Sequence, residues 1–356
     1  MATSQSPCSN RSIVRLNATL FPVSPFELEA YGRYGITPKC LDVSGRDILE
    51  QARDCDAICV VSESLTAEVI EGLTRCRVIS RLGAGTDKID HAAATRMGIL
   101  ITNVPDFCAE EQADHSMALL LSLVRKLTQM RSAMLAGRWN DARETCRPIH
   151  RMKGKTIGLV GFGLSAKGMA RRAKGFGLRV IATRKNSTAD DPEARGLVDQ
   201  ITDLQTLLRE SDYVSLHLPL NTETSGLFDA EHLSMMKPGA ILINTSRGAL
   251  VDEQALATSL REGHLGGAGI DTFHGIDVHG GKEGVPPVHP LLELENCVFT
   301  PHVAAFSVES ARDVGLGAVE NLAAVLSGRW PSARHIVNPQ VIPRFELSAR
   351  VQSEGL

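Results

Sequence analysis

The chain has 356 residues, 43% hydrophobic and 22% charged, which suits two domains of ordinary size with a sizeable core. Lys and Arg number 38 against 41 Asp and Glu, the net charge is −3, and no basic stripe stands out, so nucleic acid is not an expected partner. The eight cysteines, at 8, 40, 55, 59, 76, 108, 146 and 297, form no CxxC pair and match no zinc framework; they read as reduced thiols of a cytoplasmic protein.

The polar start, MATSQSPCSNRS, lacks the apolar core of a secretory signal. Short apolar runs then alternate with amphipathic segments. The first strand-like series is SIVRL (12–16), AICVV (57–61), RVISRL (77–82) and GILITNV (98–104). A long helical region over about 107–137 follows. Its greasiest part, SMALLLSLV, is too short to span a bilayer, so a buried helix and no membrane contact are expected. HRMKGKT (150–156) leads into a second series: TIGLVG (156–161), RVIAT (179–183), YVSLHL (213–218), AILINTS (240–246), GAGIDTF (267–273) and CVFTP (297–301). Many of these runs are rich in Val and Ile without polar alternation, the pattern of parallel strands covered on both faces. Helices lie between them. In DEQALATSLREG, Asp252 can cap the start, Leu256 and Leu260 share a face, and Gly263 can end the helix. The β-α-β-α order predicts α/β architecture with doubly wound parallel sheets in two blocks, divided near residue 115. A last helix over 308–328 is expected to cross back to the first block.

The second block opens on a phosphate-binding pattern. Gly161 and Gly163 follow a strand directly, and Ala166, Met169, Ala170 and Ala173 recur at helical spacing. In this setting Gly161 permits a tight turn, Gly163 lets the backbone approach a pyrophosphate, and Ala166 allows close helix packing. The next strand should end on an acid that grips the ribose hydroxyls. Here it ends at Thr183, followed by Arg184 and Lys185. A guanidinium can bind a 2′-phosphate that a carboxylate would repel, through charged hydrogen bonds of roughly 1.5–3 kcal/mol each. The expected cofactor is therefore NADP(H), with NAD(H) the alternative.

Five ordered segments carry a family resemblance: RLGAGTDKIDHAAATRMGILITNVPDFCAEEQADHSMALLLSLVRKL (81–127), the glycine loop, LHLPLNTETSGLF (216–228), MMKPGAILINTSRGALVDEQAL (235–256) and TPHVAA (300–305). Together they resemble the D-2-hydroxyacid dehydrogenase family. VPDFCAEEQADH is similar to the branch that includes C-terminal binding protein corepressors and phosphoglycerate dehydrogenase-like enzymes. The resemblance implies two Rossmann-like domains with an interdomain active-site cleft. Residues 1–114 and 306–356 would build a discontinuous substrate-binding domain, and 115–305 the dinucleotide domain. It implies that Arg247 is the substrate-binding catalytic arginine and His302 the acid/base histidine. Ala84 and Gly85 would hold the substrate carboxylate, and Leu164, Ser165, Leu218, Thr245, Ser246 and Asp271 would contact the cofactor. A homodimer is the family's usual state. The chemistry of the residues agrees with these roles: a planar cation can orient a carboxylate and polarise a carbonyl, and an imidazole titrates where an alcohol proton must move.

The pattern breaks at one place. Where the family has a glutamate, this chain has Ile276, in the long loop DTFHGIDVHGGKEGVPPVHPLLEL. Asp277 is the preferred substitute and Glu283 the second candidate. His274, Asp277 and His279 match no metal motif, so no metal is expected. The expected activity is hydride transfer between NADP(H) and a small 2-keto/D-2-hydroxy acid. The altered acid position keeps open a cofactor-gated binding protein with little turnover, and family variation keeps open oxidation of phosphite or formate.

Overall fold

The computed structural model describes residues 11–145, 147–185, 194–276 and 287–348. They divide into two compact units, one formed by the described residues before 108 with those from 307 onward, and the other by those between 108 and 306.

In the first unit, β1 (Ile13–Leu16), α1 (Pro25–Arg33), β2 (Lys39–Leu41), α2 (Arg46–Ala52), β3 (Ala57–Val60), α3 (Ala67–Glu71), β4 (Val78–Arg81), α4 (His91–Arg96) and β5 (Leu100–Thr102) alternate along the chain. The strands form one sheet in the order β2-β1-β3-β4-β5, with every pair parallel. Alternate residues of each strand serve opposite faces. Val14, Ile58, Ile79 and Ile101 pack with Ile48, Ile70 and Ala93 on one side. Ile13, Ala57, Val78 and Leu100 pack on the other with Ala30 and Tyr31 of α1 and with Val319 and Leu322 from the far end of the chain.

The second unit begins with α5 (Ala109–Val124), α6 (Leu127–Leu135) and α7 (Trp139–Thr145). It continues through β6 (Thr156–Val160), α8 (Leu164–Gly175), β7 (Arg179–Thr183), β8 (Gln200–Ile201), α9 (Leu204–Glu210), β9 (Tyr213–Leu216), α10 (Ala230–Met235), β10 (Ile241–Asn244), α11 (Glu253–Arg261), β11 (Gly267–Ile270) and β12 (Cys297–Phe299). Helix α12 (Val308–Leu326) then returns to the first unit, where the Ser80 hydroxyl donates to the Ala318 carbonyl at 2.8 Å. The second sheet runs β12-β11-β10-β9-β6-β7-β8, all parallel. Ile157, Leu159, Val180 and Ile243 face α5 and α8, while Val160, Ile181, Val214 and Leu242 face α9, α10 and α11.

Every strand expected from the apolar runs is present. The two short strands β2 and β8 escape such a pattern because they are sheet edges with exposed residues rather than buried runs. The helical region over 107–137 is two helices, because Lys126 adopts a left-handed conformation (φ 52°) between α5 and α6. The units divide before α5 and not inside it at 115. All sixteen residues of α5 belong to the second unit, where Ala113, Met117, Leu119 and Leu120 join one core cluster. In α11 the Asp252 carboxylate caps the N–H groups of Gln254 and Ala255, Leu256 and Leu260 are buried, and Gly263 follows at φ 74°. Among the described residues no helix is long and apolar enough to cross a membrane. The cysteines at 40, 55, 59, 76, 108 and 297 are free thiols; Cys8 and Cys146 lie outside the described residues.

Candidate active site

The strand order of the second sheet reverses between β6 and β9, which are neighbours. Open α/β sheets receive ligands beyond the carboxyl ends of strands at such a point. Gly161 follows β6 at φ 89°, and a Cβ there would come within 2.5 Å of the His217 carbonyl oxygen, so only glycine fits. Its N–H donates to Thr183 Oγ1 at 3.0 Å, tying the loop to the end of β7. Gly163 precedes α8 in an extended conformation, and a Cβ on it would meet nothing within 4 Å. No side chain caps α8 and its first turn carries no acid. Its N-terminus is thus suited to an anion, and the loop fits a dinucleotide's pyrophosphate. Ala166, Met169, Ala170 and Ala173 are fully buried, the face that seats the helix. Leu164 is exposed and Ser165 half-buried beside it.

Arg184 and Lys185 follow β7, Arg184 half-buried and Lys185 exposed. Lys185 Nζ lies 2.7 Å from Glu223 Oε2, and this partner holds the Glu223 carboxyl below its usual range. Leu218, after β9, is half-buried, and its Cδ2 would stand 2.9 Å from a Cβ on Gly161. His217 is buried between two hydroxyls, Nδ1 at 3.1 Å from Ser165 Oγ and Nε2 at 3.0 Å from Ser215 Oγ. Burial pushes its pKa down to about 4, so it is a neutral imidazole at pH 7. Composition and spacing did not single out His217. Its signal was position, directly after a buried strand that neighbours the glycine loop.

Arg247 stands on the turn after β10. Asn244 clamps that turn twice: its Nδ2 donates to the Arg247 carbonyl at 2.8 Å, and its Oδ1 accepts from Ser246 N–H at 3.0 Å. Ser246 Oγ donates to the Leu216 carbonyl at 2.7 Å, and Gln112 Nε2 donates to the Thr245 carbonyl at 2.8 Å. Thr245 Oγ1 lies 2.9 Å from Ser116 Oγ. Thr245 and Ser246 are therefore buried, with hydroxyls engaged inside the chain. The Arg247 side chain is half-buried, and its Nη1 donates to the Ser246 carbonyl at 2.8 Å. Behind it, a Cβ on Gly248 would sit 2.1 Å from the Phe273 carbonyl carbon, so this turn and the one after β11 touch backbone to backbone.

His302 stands on the turn after β12, half-buried, with its backbone in the left-handed region at φ 58°. Asp271, at the end of β11, holds this turn. Its carbonyl accepts His302 N–H at 2.8 Å, its Oδ1 accepts Val303 N–H at 2.9 Å, and its Oδ2 accepts Ala304 N–H at 3.0 Å. Thr300 Oγ1 adds a fourth bond to Oδ1 at 2.6 Å. The Asp271 side chain is wholly buried, so its carboxylate faces the His302 turn. Strand β11, which ends one residue before Asp271, lies between β10 and β12, and the sheet thus sets Arg247 and His302 on flanking turns.

Ile276, which the sequence resemblance sets against the family's glutamate, is the last described residue in the first part of the long loop. Asp277 and Glu283 lie outside the described residues, as does His279. Both flanks of that segment meet Glu253 of α11. The carboxylate accepts His274 N–H at 3.0 and 3.1 Å, and its Oε2 lies 2.8 Å from His289 Nε2. Sequence reasoning passed over Glu253 and His289 because the contact joins residues far apart in the chain. Among the described residues no group of His, Cys, Asp and Glu forms a metal site. In the first unit, Ala84 and Gly85 form a half-buried loop after β4, and Asn103 Nδ2 donates to the Ala84 carbonyl at 2.6 Å.

Two Rossmann-like domains, one with a dinucleotide loop and an Arg and a His on turns of the same sheet, define a nicotinamide-dependent oxidoreductase. Residues 117–304 match the sequence model of the family described as D-isomer specific 2-hydroxyacid dehydrogenase, NAD binding domain. A glyoxylate reductase of Korarchaeum cryptofilum is 37% identical over 301 residues, 84% of this chain and 87% of that protein. Among solved structures, D-lactate dehydrogenase of Aquifex aeolicus, complexed with NAD and lactic acid, superposes with a TM-score of 0.81 at 26% identity, over 92% of this chain and 99% of that one. An acyclic imino acid reductase in complex with NADPH and D-Arg gives 0.76 at 27% identity, over 92% and 99%. The chain belongs to the D-isomer-specific 2-hydroxyacid dehydrogenase family. Its activity is hydride transfer between a nicotinamide cofactor and a small 2-keto or 2-hydroxy acid.

Proposed function

We propose that the protein is an NADP(H)-dependent reductase of a small 2-keto acid, with glyoxylate the first candidate. The reading rests above all on the placement of Arg247 and His302 on turns after β10 and β12 of one sheet, with Asp271 bracing the second. The nicotinamide, when bound, supplies the hydride that reaches the keto carbon. Arg247 binds the substrate carboxylate with its planar fork and polarises the carbonyl. His302 donates the proton that the carbonyl oxygen takes up, and removes it in the reverse direction. We assign Ala84 and Gly85 N–H groups to the substrate carboxylate and Asp277 to the support of His302, with Glu283 as its alternative.

Support for NADP(H) comes from Arg184 and Lys185, which stand where a ribose-binding acid would exclude the extra phosphate. We assign the pyrophosphate to the loop from Gly161 to Ser165. Asp271, Thr245 and Ser246 serve the cofactor region by fixing the turns around it. Leu218 stands against the glycine loop. Support for a homodimer comes from α6 and α7, where Leu127, Met134, Leu135 and Trp139 are exposed. The free thiols agree with the reducing cytoplasm.

The test is a panel of 2-keto acids, glyoxylate included, assayed with NADPH and NADH in parallel. Turnover that prefers NADPH and disappears in His302→Ala supports the reading. Tight NADPH binding without turnover across the panel supports instead a cofactor-gated binding protein, the reading that Ile276 at the acid position favours.

A further inference from the structure

Three residues on one face of α5 reach the two turns that carry Arg247 and His302. Positions 112, 115 and 116 are spaced as neighbours on a helix surface. Gln112 and Ser116 bond to Thr245, two residues before Arg247. His115 takes the other turn: its Nε2 lies 2.8 Å from Thr300 Oγ1 and 3.5 Å from Asp271 Oδ1.

The hydrogen bonds fix the direction of this second link. Asp271 already accepts backbone N–H groups at both carboxylate oxygens, from Val303 and Ala304. The Thr300 hydroxyl has one hydrogen and gives it to Asp271 Oδ1 at 2.6 Å. Toward His115 the hydroxyl can then only accept, so His115 must carry a hydrogen on Nε2. The chain runs His115 to Thr300 to Asp271, and Asp271 holds the N–H groups on and beyond His302. A residue at φ 58° without a glycine's freedom needs such bracing, because the left-handed region costs a side chain roughly 1–2 kcal/mol.

We propose that His115 is a positioning residue for the reaction, and that with Gln112 and Ser116 it makes α5 the bar against which the Arg247 and His302 turns are aligned. The proposal rests on the reading that these two residues reduce a keto acid. It differs from a merely structural role in what it predicts. Thr300→Val and His115→Leu lower kcat by roughly 100-fold, as misplacement of a reacting group does, while dinucleotide affinity is little changed. Thr300→Ser, which keeps the hydroxyl, recovers most of kcat. The double variant Thr300→Val, His115→Leu is no worse than Thr300→Val alone, because both break one chain.

Steady-state kinetics with glyoxylate and NADPH, and fluorescence titration of NADPH, measure these effects on the full chain. A wild-type kcat in Thr300→Val or His115→Leu overturns the proposal. So does a serine variant as slow as the valine one. A readout that needs no turnover is the long-range ¹H–¹⁵N spectrum of the wild-type imidazoles, with His115 assigned by difference from His115→Gln. Hydrogen on Nε2, lost or fast-exchanging in Thr300→Val, is the expected result; a bare Nε2 overturns the proposal even if Thr300→Val and His115→Leu unfold. If the wild-type protein turns over no keto acid, the functional reading fails and the imidazole spectrum still decides the hydrogen-bond chain.

Discussion

Arg184, one residue after the Thr183 that bonds the glycine loop, and His217, bonded to Ser165 of that loop, each give a prediction at the scale of one side chain. We expect Arg184→Ala to weaken NADPH binding by about 10- to 100-fold, the equivalent of one lost charged hydrogen bond. NADH binding should stay nearly unchanged, and fluorescence titration of both dinucleotides checks the split. His217 gives a pH prediction whose sign is fixed. Burial depresses its pKa from 6.5 to about 4, so between those values the unfolded chain binds the extra proton. Its contribution to stability is complete above pH 6.5 and is lost as pH falls toward about 4, a change on the order of 3 kcal/mol. Thermal midpoints followed from about pH 7 to about pH 4 should fall more steeply for the wild type than for His217→Gln. Equal slopes would mean that the imidazole is not held neutral.

Turns after parallel strands carry Arg247 and His302, and they depend on close backbone contacts. Gly248 is the clearest case. Any side chain there must displace the backbone of Phe273 and His274, since the added carbon would lie 2.1 and 2.3 Å from them. Gly248→Ala should cost about 1–3 kcal/mol, the usual penalty of overpacking, and should slow turnover by moving Arg247. Chemical denaturation and kcat measured together test it; an alanine variant with wild-type values in both would show that the two turns can separate freely.

Much at this scale is legible in the sequence, and the reason is physical. Parallel strands buried on both faces read as near-continuous apolar runs, so AICV and TIGLV mark themselves, and IVRL and ILIN do so despite the buried Arg15 and Asn244. Edge strands such as Lys39–Leu41 carry no such constraint. The glycine loop is local and readable. The braces are not: Glu253 with His289 and His115 with Thr300 join residues far apart in the chain, and only the fold makes them neighbours. Asp271 lies between these cases. Its place after β11 is readable, but its engagement with the turn from Thr300 to Ala304 is not.

At the scale of the whole molecule, the chain's two ends build the first domain around one sheet, and the middle builds the second. Helices α6 and α7 of the second domain leave large apolar side chains in water, with Leu135 at 71% and Trp139 at 57% exposure. Grouped exposed apolar side chains of this kind mark contact surfaces. Sedimentation should find a dimer for the wild type and a monomer for Leu135→Asp combined with Trp139→Asp. A variant that remains dimeric would place the subunit contact elsewhere.

The proposed reaction passes a hydride from NADPH to the keto carbon of a small acid under Arg247 and His302. Turning over glyoxylate with NADPH that carries deuterium at both nicotinamide C4 positions, and weighing the product, tests it. The expected product is glycolate carrying one deuterium on C2, formed by the wild type and not by His302→Ala. Glycolate without deuterium, or deuterated glycolate at an undiminished rate from the variant, would contradict it.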